Sequence, residues 1–182
     1  MTGIKTASDV LAFWTKAGPD KWYVKDADFD RAIRDDFLAT YEAAAAGQLS
    51  SWTHDPESTL ALLIVLDQFP RNMFRGSARA FAADPLALEI AKSAIAKGFD
   101  KKVDEALRAF FYLPLMHSED IADQDHCVAL CRALGDEENV KYAEIHADII
   151  RRFGRFPHRN PVLGRATTAE EQAYLDSGGF SG

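Results

Sequence analysis

The chain has 182 residues, 47% of them hydrophobic and 27% charged, enough for a single domain over residues 1–182 with a real core. Its formal net charge of −7 disfavours general nucleic-acid binding, which runs on cationic surface. No apolar run reaches ~18 residues, so no membrane span is expected, and two cysteines argue for a reducing cytoplasm rather than a disulfide scaffold.

Helix signals recur along the chain. Met1–Lys5 lacks the apolar stretch of a secretion signal and leads into a helix start at Ser8, with Asp9 in the first turn and Gly18-Pro19 as the stop. A loop carries Trp22 and Tyr23. Asp28 is the expected cap of a second helix, in which Phe29, Ile33, Phe37 and Tyr41 form one stripe. Gly47 closes it. Asp55-Pro56-Glu57 is a third start, with proline at the first helical position. From Leu60 to Leu66 the chain is apolar on every side, as in a central helix, and Pro70 is expected to end it.

Ser77 opens a short turn. Asp84-Pro85 repeats the cap-proline pattern for a helix to Lys97. Asp104 starts another that ends near Pro114. Ser118-Glu119-Asp120 precedes a helix to Leu134, Glu137 to Phe153 gives the next, and Thr168 with Glu171 fits a capping box. No stretch favours the period of a strand. The reading is all-α, about eight or nine helices, with short connections that favour antiparallel pairs in a bundle or an α-solenoid.

Three stretches combine an apolar helix end with a dense polar turn: Leu66–Asn72, Leu113–Asp120 and Ile149–Asn160. With Arg75-Gly76, Gly164-Arg165 and the markers Phe13-Trp14, Trp22 and Phe29-Asp30, they make the chain resemble a mainly bacterial family catalogued as domain of unknown function 924. That resemblance covers nearly the whole sequence. It implies stacked helix pairs similar to tetratricopeptide-repeat (TPR) proteins, and it implies no activity.

The residues themselves offer several chemistries. Asp67 ends an apolar helix, where the helix dipole disfavours a carboxylate by ~0.3–1 kcal/mol unless a cation compensates. Arg71 is the local candidate, and Arg152, Arg155 and Arg159 are the distant ones. A structural ion pair is the plain reading; orienting a catalytic histidine or a ligand-binding arginine is the sharper one. His117 and His158 lie in turns and suit acid–base work, with Glu119 or Asp67 to orient them. Ser118 reads first as a cap.

Arg71, Arg152, Arg155 and Arg159, with Asn72 and Asn160, could bind a carboxylate or phosphate, whereas Arg151 points to solvent. Equally, these arginines could pair with Asp67, Glu119 and Asp120. Phe153 and Phe156 read as core anchors. His117, Glu119, Asp123, Asp125, His126 and His146 lack metal-site spacing, and no metal or cofactor is expected. Cys127 and Cys131 share a helix face and read as small buried hydrophobes. Three functions stay open: a binding protein for a small anion or acidic peptide end, a hydrolase using His117 or His158 with Asp67, and an interaction scaffold whose polar cluster is structural.

Overall fold

The structure, a computed structural model, describes residues 3–181. In order the helices are α1 (Ala7–Ala17), α2 (Pro19–Trp22), α3 (Ala27–Ala45), α4 (Pro56–Leu63), α5 (Phe69–Met73), α6 (Asp84–Ala96), α7 (Glu105–Arg108), α8 (Leu113–Met116), α9 (Ile121–Leu134), α10 (Glu137–Phe153) and α11 (Ala169–Asp176). With the nearly continuous runs 56–73 and 105–116 taken as one helix each, nine are present, and no strand occurs among the described residues. The all-α expectation is met. The chain forms two compact units. One runs through Arg75 and resumes at Arg79–Pro114; the other takes Gly76–Ala78 and Leu115 onward.

In the first unit the apolar run Leu60–Leu66 is at most 2% exposed at every position. Each such aliphatic side chain contributes roughly 1.5–3 kcal/mol by leaving water. The α3 stripe meets it: Ile33, Phe37 and Tyr41 are buried. Aromatic rings extend the core, with Trp14 5.7 Å from Phe69 and 5.5 Å from Phe110, and the Trp22 indole N–H donating to the Trp14 carbonyl at 2.8 Å.

Pro70 does not end this helix. A π-turn at Ile64–Gln68 intervenes, in which the Phe69 N–H reaches back five residues to the Ile64 carbonyl, and α5 continues beyond. The wider turn moves the carbonyl that the Pro70 ring would otherwise strike. Pro114 likewise lies inside the first turn of α8 rather than after a helix end. The Arg34 guanidinium donates to the Met73 carbonyl and closes α5.

Several starts shift by one or two residues. Thr6, not Ser8, caps α1 in a capping box with Asp9, and Asp26, not Asp28, caps α3 by accepting from the Asp28 and Phe29 N–H groups. Asp120 caps α9; Ser118 instead accepts from the Asp120 N–H and donates to Asp123 at 2.8 Å. Asp84 is the first residue of α6 and makes no cap, because its carboxylate serves Arg71. Asp55 and Thr168 cap as expected.

In the second unit α9 and α10 form a helical hairpin. Gly135, at φ 80°, ends α9 in the left-handed region where a side chain is strained, and Asp136 caps α10 two residues after α9 stops. Below the hairpin Ile149, Ile150 and Phe156 form a small core with Ile145, Phe153, Tyr174 and Phe180 against it. Phe156 is a fully buried core anchor, as expected, and Phe153 packs half-buried against it.

Candidate functional site

The first polar cluster belongs to the π-turn. Asp67 is 1% exposed there. The Gln68 side-chain amide donates to it at 2.6 Å, and Arg71 lies 3.4 Å away, one turn on. Arg71 is therefore the local compensation. Its fork also grips both oxygens of Asp84 at 3.1 and 3.0 Å and donates to the Asp67 carbonyl. Burial works against the Arg71 charge, but Asp67 and Asp84 outweigh it and hold its pKa above the ordinary value. Asn72 donates to Asp30 at 2.7 Å, and Arg75 clasps the same carboxylate at 2.5 and 3.0 Å. The turn is thus tied to α3 and α6.

Removing Arg71 leaves the buried Asp67 short of a cation, a situation that costs on the order of 3 kcal/mol. Arg71→Met and Asp84→Asn share one interaction, so their unfolding free energies are expected to be non-additive by about 1 kcal/mol or more in a double-mutant cycle. Additive losses would show that the contact carries no energy.

The second unit holds two ion-pair knots. Glu119 accepts from both terminal nitrogens of Arg165, at 2.7 and 3.0 Å, and from the Phe156 N–H at 2.8 Å. Burial alone would raise the Glu119 pKa, yet Arg165 and the Phe156 N–H bring it below the ordinary value. Glu171, 2% exposed, accepts from Arg155 Nε at 2.6 Å and Nη2 at 2.9 Å, and from the Asn160 amide at 3.2 Å. Arg155 holds the Glu171 carboxyl at about 2. Asn160 is fully buried and also accepts from Arg165 Nε at 2.9 Å, which joins the two knots.

Beside them the imidazoles gather. His146 is 6% exposed, and its Nδ1 lies 2.7 Å from the Tyr142 carbonyl. A carbonyl only accepts, so Nδ1 carries the proton and Nε2 keeps its lone pair. The His117 ring is 6.3 Å from His146. His146 touches Phe156 at 5.5 Å and Phe180 at 4.5 Å; His158 touches the same two rings at 5.7 and 5.4 Å. The Arg159 guanidinium, on a buried residue, sits 4.5 Å over Phe156. Burial, followed by the neighbouring His117, lowers the His146 pKa to about 3, with Arg159 and His158 adding to it.

The remaining expected residues are placed as follows. Arg152 is exposed and stacks over Phe153 at 4.8 Å and Tyr174 at 5.2 Å. Arg151 is at the surface, as expected, and pairs with Asp125 at 2.5 Å. Asp123 is buried while Asp125 and His126 are exposed, and no group of three or more His, Cys, Asp or Glu suited to a metal occurs among the described residues. The Cys127 and Cys131 sulfurs are buried 4.0 Å apart on one face of α9. An open groove of about 680 Å³ between Asp125, Arg132, Glu144 and Arg151 involves none of the candidate histidines or anion-binding arginines.

Sequence reasoning passed over Glu171 beyond its capping role, Arg165 beyond its place in a motif, and Phe180 altogether. It weighed His146 only as a metal ligand. His146 could have been found otherwise, since Ala143, His146, Ala147 and Ile150 form a single buried helical stripe.

The protein is thus all-α, with polar turns locked by arginine–carboxylate pairs. The chain belongs to a family described as bacterial protein of unknown function, DUF924, whose model matches residues 10–179. Its fold is similar to that of a protein of unknown function, ATU0120, from Agrobacterium tumefaciens. The two share 52% identity and a TM-score of 0.91 over 94% of this chain and 97% of that one. No curated protein matches. No helix of the described residues is long and apolar enough to cross a membrane.

Proposed function

We propose that the chain is a cytoplasmic binding protein for a small anion, a carboxylate or phosphate, and not for nucleic acid, with TPR-like helix pairs as its frame. The observation that carries this reading is the packing of His146 and His158 against Phe156 and Phe180, with His117 beside His146 and Arg159 over Phe156. Two carboxylates of the same unit, Glu119 and Glu171, are already spent on Arg165 and Arg155. An arriving anion meets the permanent charge of Arg159 and imidazoles that can take up a further proton. In this reading Arg155 and Asn160 hold the turn while Arg159 faces the ligand, and Arg71 and Asn72 brace their own turn.

The test is thermal unfolding in phosphate, sulfate or succinate against chloride at matched ionic strength. A ligand at 100 times its Kd stabilises by about 2.7 kcal/mol through mass action. The gain is expected in the parent chain and in Arg151→Ala, and is expected to disappear in Arg159→Met and weaken in His117→Asn. It should fall with added salt. Equal stabilisation by chloride, or a gain that survives Arg159→Met, would remove the proposal.

A second reading keeps these groups as an interaction scaffold. It draws on the arginines whose forks are filled by protein carboxylates, Arg155 by Glu171 and Arg71 by Asp84. A chain with no anion response and full sensitivity to loss of those pairs would fit it.

A further inference from the structure

The outer face of the α9–α10 hairpin carries an ordered charge pattern that the proposed anion site does not use. Val128 and Ala129 on α9 and Ile145 on α10 line its open groove of about 680 Å³. On α9, Asp125 and Arg132 lie two turns apart on one face, and Glu144 and Arg151 do the same on α10. The helices run antiparallel, so the charges meet across the groove. Arg132 pairs with Glu144 at 2.7 Å at one end, and Arg151 pairs with Asp125 at 2.5 Å at the other. The four charges therefore form a checkerboard, in which each differs in sign from its neighbour along the helix and from its neighbour across the groove. Lys141 and Asp148 add one charge of each sign, so the groove is neutral on a chain of formal net charge −7. All four corner residues are exposed, and exposed pairs of this kind hold little energy in water.

We propose that this groove is the interface of a two-fold dimer, in which α9 and α10 of two copies of the chain meet as a four-helix bundle. A two-fold interface must be complementary to itself. Turning the checkerboard over about an axis in the plane of contact satisfies that condition. Whether the axis runs along the helices or across them, each corner acid comes to face a base of the other copy. Every in-chain pair is kept, and each end of the interface becomes a closed set of four alternating charges. The rest of the acidic chain repels a second copy, so approach through the neutral groove meets the least opposition. Val128, Ala129 and Ile145 supply an apolar centre inside a charged rim, which is the usual division of such an interface. With 14 and 17 residues, α9 and α10 are long enough to pack over several turns.

The experiment is sedimentation equilibrium of the full chain, followed by native mass spectrometry of mixtures. The parent is expected to dimerise, and to do so more weakly with added salt. An all-acid groove, Arg132→Glu with Arg151→Glu, is expected to raise the dimer Kd by about a hundredfold, as is an all-base groove, Asp125→Lys with Glu144→Lys. An equimolar mixture of the two is expected to dimerise again. Both variants break in-chain pairs, so a third chain inverts the board: Asp125→Arg, Arg132→Glu, Glu144→Arg and Arg151→Glu. It keeps an acid–base pair at each end and remains complementary to itself, but not to the parent. It is expected to dimerise as the parent does and to form no hybrid dimer with it. A parent that stays monomeric up to about 1 mM overturns the proposal and leaves the groove to some other partner. Hybrid dimers in statistical proportion overturn it as well, as does an inverted chain of native helicity that fails to dimerise. A dimer that persists unchanged in the all-acid and all-base chains places the contact elsewhere and also sinks the proposal.

Discussion

Glu171→Ala is expected to destabilise the protein by on the order of 3 kcal/mol. The carboxylate is almost fully buried and accepts from Arg155 twice, from the Asn160 amide, and from the Thr168 N–H at 2.8 Å. The last contact is half of the α11 capping box. Loss of a cap alone costs about 1 kcal/mol. Truncation also leaves Arg155 without its carboxylate and the buried Asn160 amide with one acceptor fewer. Because α11 is only eight residues long, it has little propensity to stand alone, and the ring contacts of Tyr174 and Phe180 depend on it. Urea unfolding of Glu171→Ala and Glu171→Gln tests the assignment. Glutamine keeps an acceptor for the cap but no charge for Arg155, so it should lose less than alanine. A loss below about 0.5 kcal/mol, the size of an ordinary surface substitution, would mean that solvent replaces the pair. The contribution is also pH-dependent. The Glu171 carboxyl is held low, at about 2, so its stabilisation is present above the ordinary carboxylate range and is lost as pH falls toward 2.

Much of the fold was legible because caps and periodicity are local. Asp55 and Thr168 are caps, the Phe29 stripe is a buried stripe, and Leu60–Leu66 is central. What failed was choice among equivalent local signals. Asp26, Asp28 and Asp30 are all acceptable caps, and the backbone selects the first by its extended conformation, φ −133° and ψ 112°. Asp84-Pro85 has a cap pattern, yet a tertiary partner, Arg71, takes the carboxylate. Pro70 signals a helix end unless a π-turn makes room, and no local spacing announces a π-turn. The candidate site was half legible for the same reason. The arginine-rich turn is visible in composition, but the partners that hold its side chains come from 11 to 46 residues away. Glu171 was hidden behind its own capping role, since one carboxylate serves the local cap and the distant arginine together.

His146 is expected to make the protein acid-labile above the carboxylate range. The group is buried neutral, with its pKa lowered to about 3 from 6.5 by burial and by the charges of neighbouring His117, Arg159 and His158. The facing groups are His117 after α8, His158 and Arg159 from the turn at Pro157–Arg159, and the Tyr142 carbonyl on its own helix. The unfolded chain takes up a proton near 6.5, while the folded chain declines it until about 3. The unfolded state therefore binds more protons throughout that window, and stability must rise with pH across it. The loss between pH 7 and pH 5 is on the order of 2 kcal/mol for this group alone. Carboxylates held low, such as Glu171, contribute their loss further down, so the two windows separate. His146→Phe removes the titrating group and keeps a ring between Phe156 and Phe180, while giving up the hydrogen bond to Tyr142. That variant is expected to start less stable at pH 7 and to show a flatter stability profile between pH 7 and 5. Urea midpoints at half-unit pH steps supply the measurement. If parent and variant lose stability in parallel over that range, His146 is not the group that titrates. A bound anion adds a further sign. It favours the charged imidazole in the folded state, raises the His146 pKa toward its ordinary value and shrinks the acid loss, so the pH 5 to pH 7 difference should narrow in phosphate relative to chloride if the imidazole cluster is where the anion sits.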